Sequence, residues 1–123
     1  MADQQKELRS LSDEYEKLQG ELNSRVQTRQ KLESQFTENK GVQKEFSNLD
    51  DEAKIYKIVG PVLLKQDTTE AKGTVDSRLE YIGTEIKRVE ETIKGLQQQS
   101  EGKRNEIMRI QATMQQSQTA APA

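Results

Sequence analysis

The sequence predicts a mainly α fold, a long antiparallel coiled-coil hairpin of two helices joined by one β-hairpin. Three observations predict it. Each half of the chain repeats apolar residues at steps of three and four, the helical seam spacing. Between the halves lies a short β-branched and aromatic run centred on Gly60-Pro61. The 123 residues are 33% charged and 31% hydrophobic, too polar for a thick core, so an extended shape is expected.

The first helix is read over about residues 4–52. Leu8, Leu11, Tyr15, Leu18, Leu22, Leu32, Phe36 and Phe46 fill eight of twelve seam positions, and Arg25, Arg29, Asn39 and Gln43 fill the rest. The hairpin follows over 55–66. A two-residue Gly-Pro turn would pair Val59 with Val62, Ile58 with Leu63, Lys57 with Leu64, Tyr56 with Lys65 and Ile55 with Gln66. Asp67 then offers an N-cap ahead of Thr68, Thr69 and Glu70, which starts the second helix near 68 and carries it to about 116. Its seam is cleaner: Val75, Leu79, Ile82, Ile86, Val89, Ile93, Leu96, Ile107, Ile110 and Met114 take ten of twelve positions, with Ser100 and Lys103 between. Residues 1–116 thus read as a single domain, and 117–123, polar and without period, as a disordered tail.

Folding the chain about Gly60-Pro61 sets residues whose numbers total 121 or 122 side by side. Leu8 then meets Met114, Leu11 meets Ile110, Phe36 meets Ile86 and Phe46 meets Val75. No layer in this register joins two polar residues. At 1.5 Å per residue such helices make an arm about 70 Å long.

Composition excludes most chemistry. There is no cysteine and no histidine, so disulfides, thiolate nucleophiles, imidazole bases and the commonest transition-metal ligands are all missing. No phosphate-cradling glycine string or nucleophile elbow occurs, and the reading is a protein that is no enzyme and needs no cofactor. The longest apolar run, Ile58 to Leu64, is too short to span a bilayer. A net charge of −2 with no basic arm argues against nucleic acid. No membrane association and a cytoplasmic location are the corresponding expectations.

The hairpin is the feature that asks for a partner. Ile55, Tyr56, Ile58, Val59, Val62, Leu63 and Leu64 make both of its faces apolar, and two strands alone leave two open edges. Pairing with strands of other subunits, closing a barrel, would cover both.

The string YKIVGPVLLKQD from Tyr56, followed by EAKGTVDSRLEYIGTEIKRVE from Glu70, resembles the β class of prefoldin. RQKLESQFTEN from Arg29 resembles one subunit type within that class. The resemblance reaches about Gln116. It implies a cytosolic chaperone subunit of a heterohexamer, with two α-type and three further β-type subunits as partners. Such a complex works without ATP, captures unfolded proteins such as actin and tubulin at coiled-coil tips, and delivers them to the cytosolic chaperonin. Carried onto this chain, Ile55, Tyr56, Ile58, Val59, Gly60, Pro61, Val62, Leu63 and Leu64 would form the assembly surface. Leu8, Leu11, Tyr15, Ile107, Ile110 and Met114 would form the client-binding tip. The alternative is a structural coiled-coil scaffold or tether subunit, which explains the seams and leaves the apolar hairpin unexplained.

Overall fold

The structure, a computed structural model, describes residues 2–49, 55–59 and 62–119; the side chains of residues 55–59, 62–64, 66, 118 and 119 lie outside the description. The elements in order are α1 (Ala2–Ser47), β1 (Ile55–Val59), β2 (Val62–Gln66) and α2 (Thr68–Thr119).

Helix α2 begins where the sequence places its cap. The Asp67 carboxylate accepts the Glu70 N–H at 3.1 Å and its carbonyl accepts the Ala71 N–H at 2.9 Å, satisfying donors that the first turn leaves free. Helix α1 ends five residues earlier than the expected residue 52. The Ser47 hydroxyl donates to the Lys44 carbonyl at 2.7 Å, and Asn48 and Leu49 close a tighter turn onto Glu45 and Phe46. Ser and Asn compete for backbone groups that a continuing helix would use. The acidic run Asp50-Asp51-Glu52 also opposes the negative C-terminal end of the helix dipole. At the other end α2 passes residue 116 and continues to Thr119, since its glutamines propagate a helix and no proline intervenes before Pro122. Of the expected tail, residues 117–119 are therefore helical and 120–123 lie outside the described residues.

The chain forms two compact units, residues 1–28 with 89–123 and residues 29–88. In the first, Leu11, Val89, Ile93, Ser100 and Ile110 are buried, and Leu8, Tyr15, Leu18, Leu22, Leu96, Lys103, Ile107 and Met114 are half-buried. In the second, Ala71, Val75, Leu79 and Ile82 are buried against half-buried Leu32, Phe36, Asn39, Gln43 and Phe46. The seam positions read from the sequence are thus the ones shielded from water, with one exception. Arg25 is exposed and Val26, half-buried, takes its place. Among the described residues no large side chain is fully enclosed, so each seam side chain contributes less than the roughly 1.5–3 kcal/mol of a fully buried aliphatic one.

The register between the helices differs from the simple fold-back. In the first unit Gln19 Nε2 donates to Ser100 Oγ at 2.6 Å and Lys103 Nζ donates to Glu14 Oε2 at 2.9 Å. In the second, Gln43 Nε2 donates to Asp76 Oδ1 at 2.7 Å, and Phe36 Cε2 lies 3.9 Å from where a Cβ on Gly83 would sit. These pairs total 119, 117, 119 and 119 in residue number, not 121 or 122. Layers at a constant total of 118 fit them, a register that sets Leu8 against Ile110 and Leu11 against Ile107 in the first unit, and Phe36 against Ile82 and Gln43 against Val75 in the second.

There is a physical reason for the constant total. In this register, apart from the Val26 layer, a step of three along α1 opposes a step of three along α2, and four opposes four, from Leu8 to Gln43, so successive layers stay level. Two residues outside the expected seams also gain a place. Ala71 is buried, only 3% exposed, one turn before Val75, and half-buried Gln4 falls at the total of 118 with Met114. The fold-back register fails because it carries the strand pairing through unequal connections. Seven residues separate α1 from β1, whereas one separates β2 from α2.

Candidate functional site

Strands β1 and β2 form a two-stranded antiparallel sheet in which Ile55 pairs with Gln66, Tyr56 with Lys65, Lys57 with Leu64, Ile58 with Leu63 and Val59 with Val62. Ile55, Tyr56, Ile58 and Val59 lie on β1, and Val62, Leu63 and Leu64 on β2; Gly60 and Pro61, the expected turn, lie outside the described residues. Among the described residues no third strand joins the ladder. Each strand therefore keeps one edge of backbone donors and acceptors available for pairing, an arrangement that is marginal for a free sheet and apt for docking.

The six residues expected at the client-binding tip all fall in the first unit. Leu11 (7% exposed) and Ile110 (9%) are buried there, and Leu8, Tyr15, Ile107 and Met114 are half-buried. The corrected register brings Leu8 to Ile110 and Leu11 to Ile107, and separates Leu8 from Met114. Met108 was missed by the seam reading. It sits off the seam, 55% exposed, on the α2 segment of the same unit, and its signal in the sequence is a methionine directly beside Ile107. An exposed, unbranched thioether is a surface that adapts to varied apolar shapes.

Polar seam residues are accommodated locally rather than left bare. Ser100, 5% exposed, receives the Gln19 amide, and Lys103 reaches out of the seam to Glu14. The Glu14 hydrogen bond, followed by the attraction of the same carboxylate, raises the Lys103 pKa above the ordinary lysine value. Asn39 turns its amide onto the Gln35 carbonyl of its own helix at 2.7 Å. Arg29 is the poorest fit: its Nε lies 3.8 Å from Glu33, within ion-pair range but beyond a hydrogen bond, and is shielded from water. Among the described residues no three metal-ligating side chains converge, and no helix is long and apolar enough to cross a membrane.

The described residues thus combine two long helices with a two-stranded ladder whose outer edges are unpaired among the described residues. Comparison with known proteins gives this fold a family. The sequence pattern described as "Prefoldin subunit" matches residues 9–114, and the chain belongs to the prefoldin family. It is 43% identical to prefoldin subunit 6 of Bos taurus over 116 residues, covering 94% of this chain and 90% of that one. The human prefoldin subunit 6 is 42% identical with the same coverage, and that of Saccharomyces cerevisiae is 43% identical over 84% of this chain and 90% of its own. Subunit 6 is the type to which RQKLESQFTEN points. Among solved structures, the prefoldin beta subunit from Thermococcus strain KS-1 has the same fold, with a TM-score of 0.77, 24% identity, and coverage of 94% of this chain and 95% of that one.

Proposed function

We propose that the chain is a chaperone subunit that enters a heterohexamer with two α-type and three further β-type prefoldin subunits. In that complex it helps to hold unfolded proteins in the cytoplasm. The observation that carries this is the isolated two-stranded ladder in a chain of this family. Neighbouring subunits would pair with both free edges, and the nine residues Ile55, Tyr56, Ile58, Val59, Gly60, Pro61, Val62, Leu63 and Leu64 would lie in the resulting β interface.

Capture of unfolded actin and tubulin, and their passage to the cytosolic chaperonin without ATP, belong to the same proposal. Helix ends have fewest neighbours and fray first, so the layers of Leu8, Leu11, Tyr15, Ile107, Ile110 and Met114 can open to an unfolded chain's apolar segments. Several weak contacts on different subunits would together hold a client that no single one binds tightly.

The test is a complex reconstituted with the partner subunits and followed by native mass spectrometry, with suppression of aggregation of denatured actin as the functional readout. Replacing Leu8, Leu11 and Ile110 by serine on this chain, and the corresponding residues on its partners, should leave assembly intact and abolish holding. Full suppression by that variant would remove clients from these residues. Failure of the wild-type chain to enter a hexamer would overturn the assembly reading.

A further inference from the structure

In the second unit, where the last turns of α1 lie beside the first turns of α2, there is a groove of about 630 Å³. Its floor is apolar, made by half-buried Phe46 and by Val75, 6% exposed. Lys40 and Lys44, one helical turn apart, stand along one wall, and Lys72 and Asp76, also one turn apart, along the other. Gly41 opens the first wall, since a Cβ there would meet nothing within 4 Å.

The charges around the groove are unbalanced. Three ammonium groups face a single carboxylate, and the Asp76 carboxylate already accepts the Gln43 amide at 2.7 Å. Lys40 is partly engaged, 5.7 Å from the centre of the Phe36 ring and 3.4 Å from Gln43 Oε1. Lys44 and Lys72 enter no ion pair among the described residues; the pairs seen there join Arg29 to Glu33, Arg88 to Glu85 and Lys103 to Glu14. An apolar floor between two such lysines complements a segment with one large apolar side chain flanked by carboxylates.

Position in the chain says where that segment comes from. The groove shares its unit with the ladder: Ser47 on its rim precedes β1 by eight residues, and Lys72 follows β2 by six. A subunit paired to the ladder brings its own polypeptide to this neighbourhood. We propose that the groove receives a short acidic segment of a neighbouring subunit, its apolar side chain on Phe46 and Val75 and its carboxylates between Lys44 and Lys72. This rests on the assembly reading above, and goes beyond it by adding a side-chain contact to the strand contact.

Two measurements on the complex reconstituted from the full chain and its partner subunits test it. Zero-length carbodiimide cross-linking should join Lys44 and Lys72 to aspartate or glutamate of another subunit, identified by mass spectrometry. In competition with wild-type chain for limiting partners, the double variant Lys44→Glu/Lys72→Glu should be incorporated about tenfold less, because like charges would then face each other. Lys31→Glu/Lys94→Glu, at exposed positions outside the groove, should compete evenly. Circular dichroism of each variant separates this outcome from loss of the helices. Cross-links confined to acids of this same chain, or none at these lysines in an assembled complex, would overturn the proposal and leave assembly standing. Equal incorporation of the groove variant would do the same. If native mass spectrometry shows no complex with wild-type chain, the assembly reading falls, and the groove proposal with it.

Discussion

Alanine in place of the helical glycines should make the protein more stable. Gly20, Gly41, Gly73, Gly95 and Gly102 lie inside α1 and α2, and a Cβ added to any of them meets nothing within 4 Å. None has the positive φ that would make glycine obligatory. The substitution therefore costs no packing and no backbone strain, and removes chain entropy that the unfolded state gains from glycine, about 0.5–1 kcal/mol per site. For a chain of this length that is a rise in Tm of about 2–5 °C for each. Thermal melts of the single variants by far-ultraviolet circular dichroism, at concentrations low enough to suppress association, measure it. Amide exchange around Gly102 should slow in Gly102→Ala. A fall in Tm at any of the five positions would mean that the glycine satisfies a close approach absent from the described contacts. With all five replaced, suppression of client aggregation should weaken, if easy opening of the helix pair is what exposes its seam.

Three other outcomes follow from the geometry. Oxidation of Leu11→Cys/Ile107→Cys should close an intramolecular disulfide more readily than Leu11→Cys/Ile110→Cys; the opposite order would restore the fold-back register. Val59→Asp or Leu63→Asp should block entry into a complex while leaving the helical dichroism nearly unchanged, because a carboxylate buried in a β interface is left without a partner; normal incorporation would take these strands out of the interface. Glu14→Gln should lower the Lys103 pKa toward the ordinary lysine range by loss of the charged hydrogen bond that raises it. The sign follows from the raised folded-state pKa: the pair's contribution is fully present below the unfolded lysine pKa and lost as pH rises through the folded value. A nitrogen-detected titration of the Lys103 side chain reads it, and an unmoved midpoint would remove Glu14 as the cause.

The seams were legible in the sequence because burial along a helix leaves a periodic trace: Ile93 and Val89 stand at the spacing that water exclusion demands. The start of α2 was legible for a similar reason, since Asp67 is both sequence signal and cap. The register was not. Which residue faces which is set by matching steps along two helices, and nothing local to Leu11 records whether Ile110 or Ile107 is opposite. Carrying the strand pairing into the helices assumed equal connections, and the seven residues after α1 against one before α2 break that assumption. Arg25 was placed on the seam by strict continuation of the three-four count, whereas Val26, four residues after Leu22, shields itself at lower cost than a guanidinium. The end of α1 was overrun because Ser47 and Asn48 stop a helix by side-chain and backbone bonds that an apolar count does not register. For the candidate site, the sequence points to nine residues of the hairpin and six of the seam, and the structure places seven of the nine on β1 and β2 and all six in the first unit. Met108 and the lysine-walled groove were not legible, since exposure and the facing of Lys44 and Lys72 depend on how the two helices meet.

If the groove receives a neighbouring subunit as proposed, it also bears on how this chain would select its neighbours. Strand-edge pairing uses backbone N–H and C=O groups, which are the same in every subunit, so the ladder by itself supplies affinity with little discrimination. A complex of several related chains needs a difference between right and wrong neighbours, which comes from side chains that reward one and penalise another. The polar pairs that join the helices, Gln19 with Ser100, Glu14 with Lys103 and Gln43 with Asp76, are already committed to one another. Lys44 and Lys72, in no ion pair among the described residues and close in sequence to the strands, can supply that difference. A neighbour with carboxylates at the matching place would be favoured, and one with lysines there repelled, even if both pair equally well with β1 and β2. Discrimination of this kind weakens with salt when the charges stay near solvent. Neighbour choice in mixtures of subunits should then become less selective as ionic strength rises, while total β pairing persists.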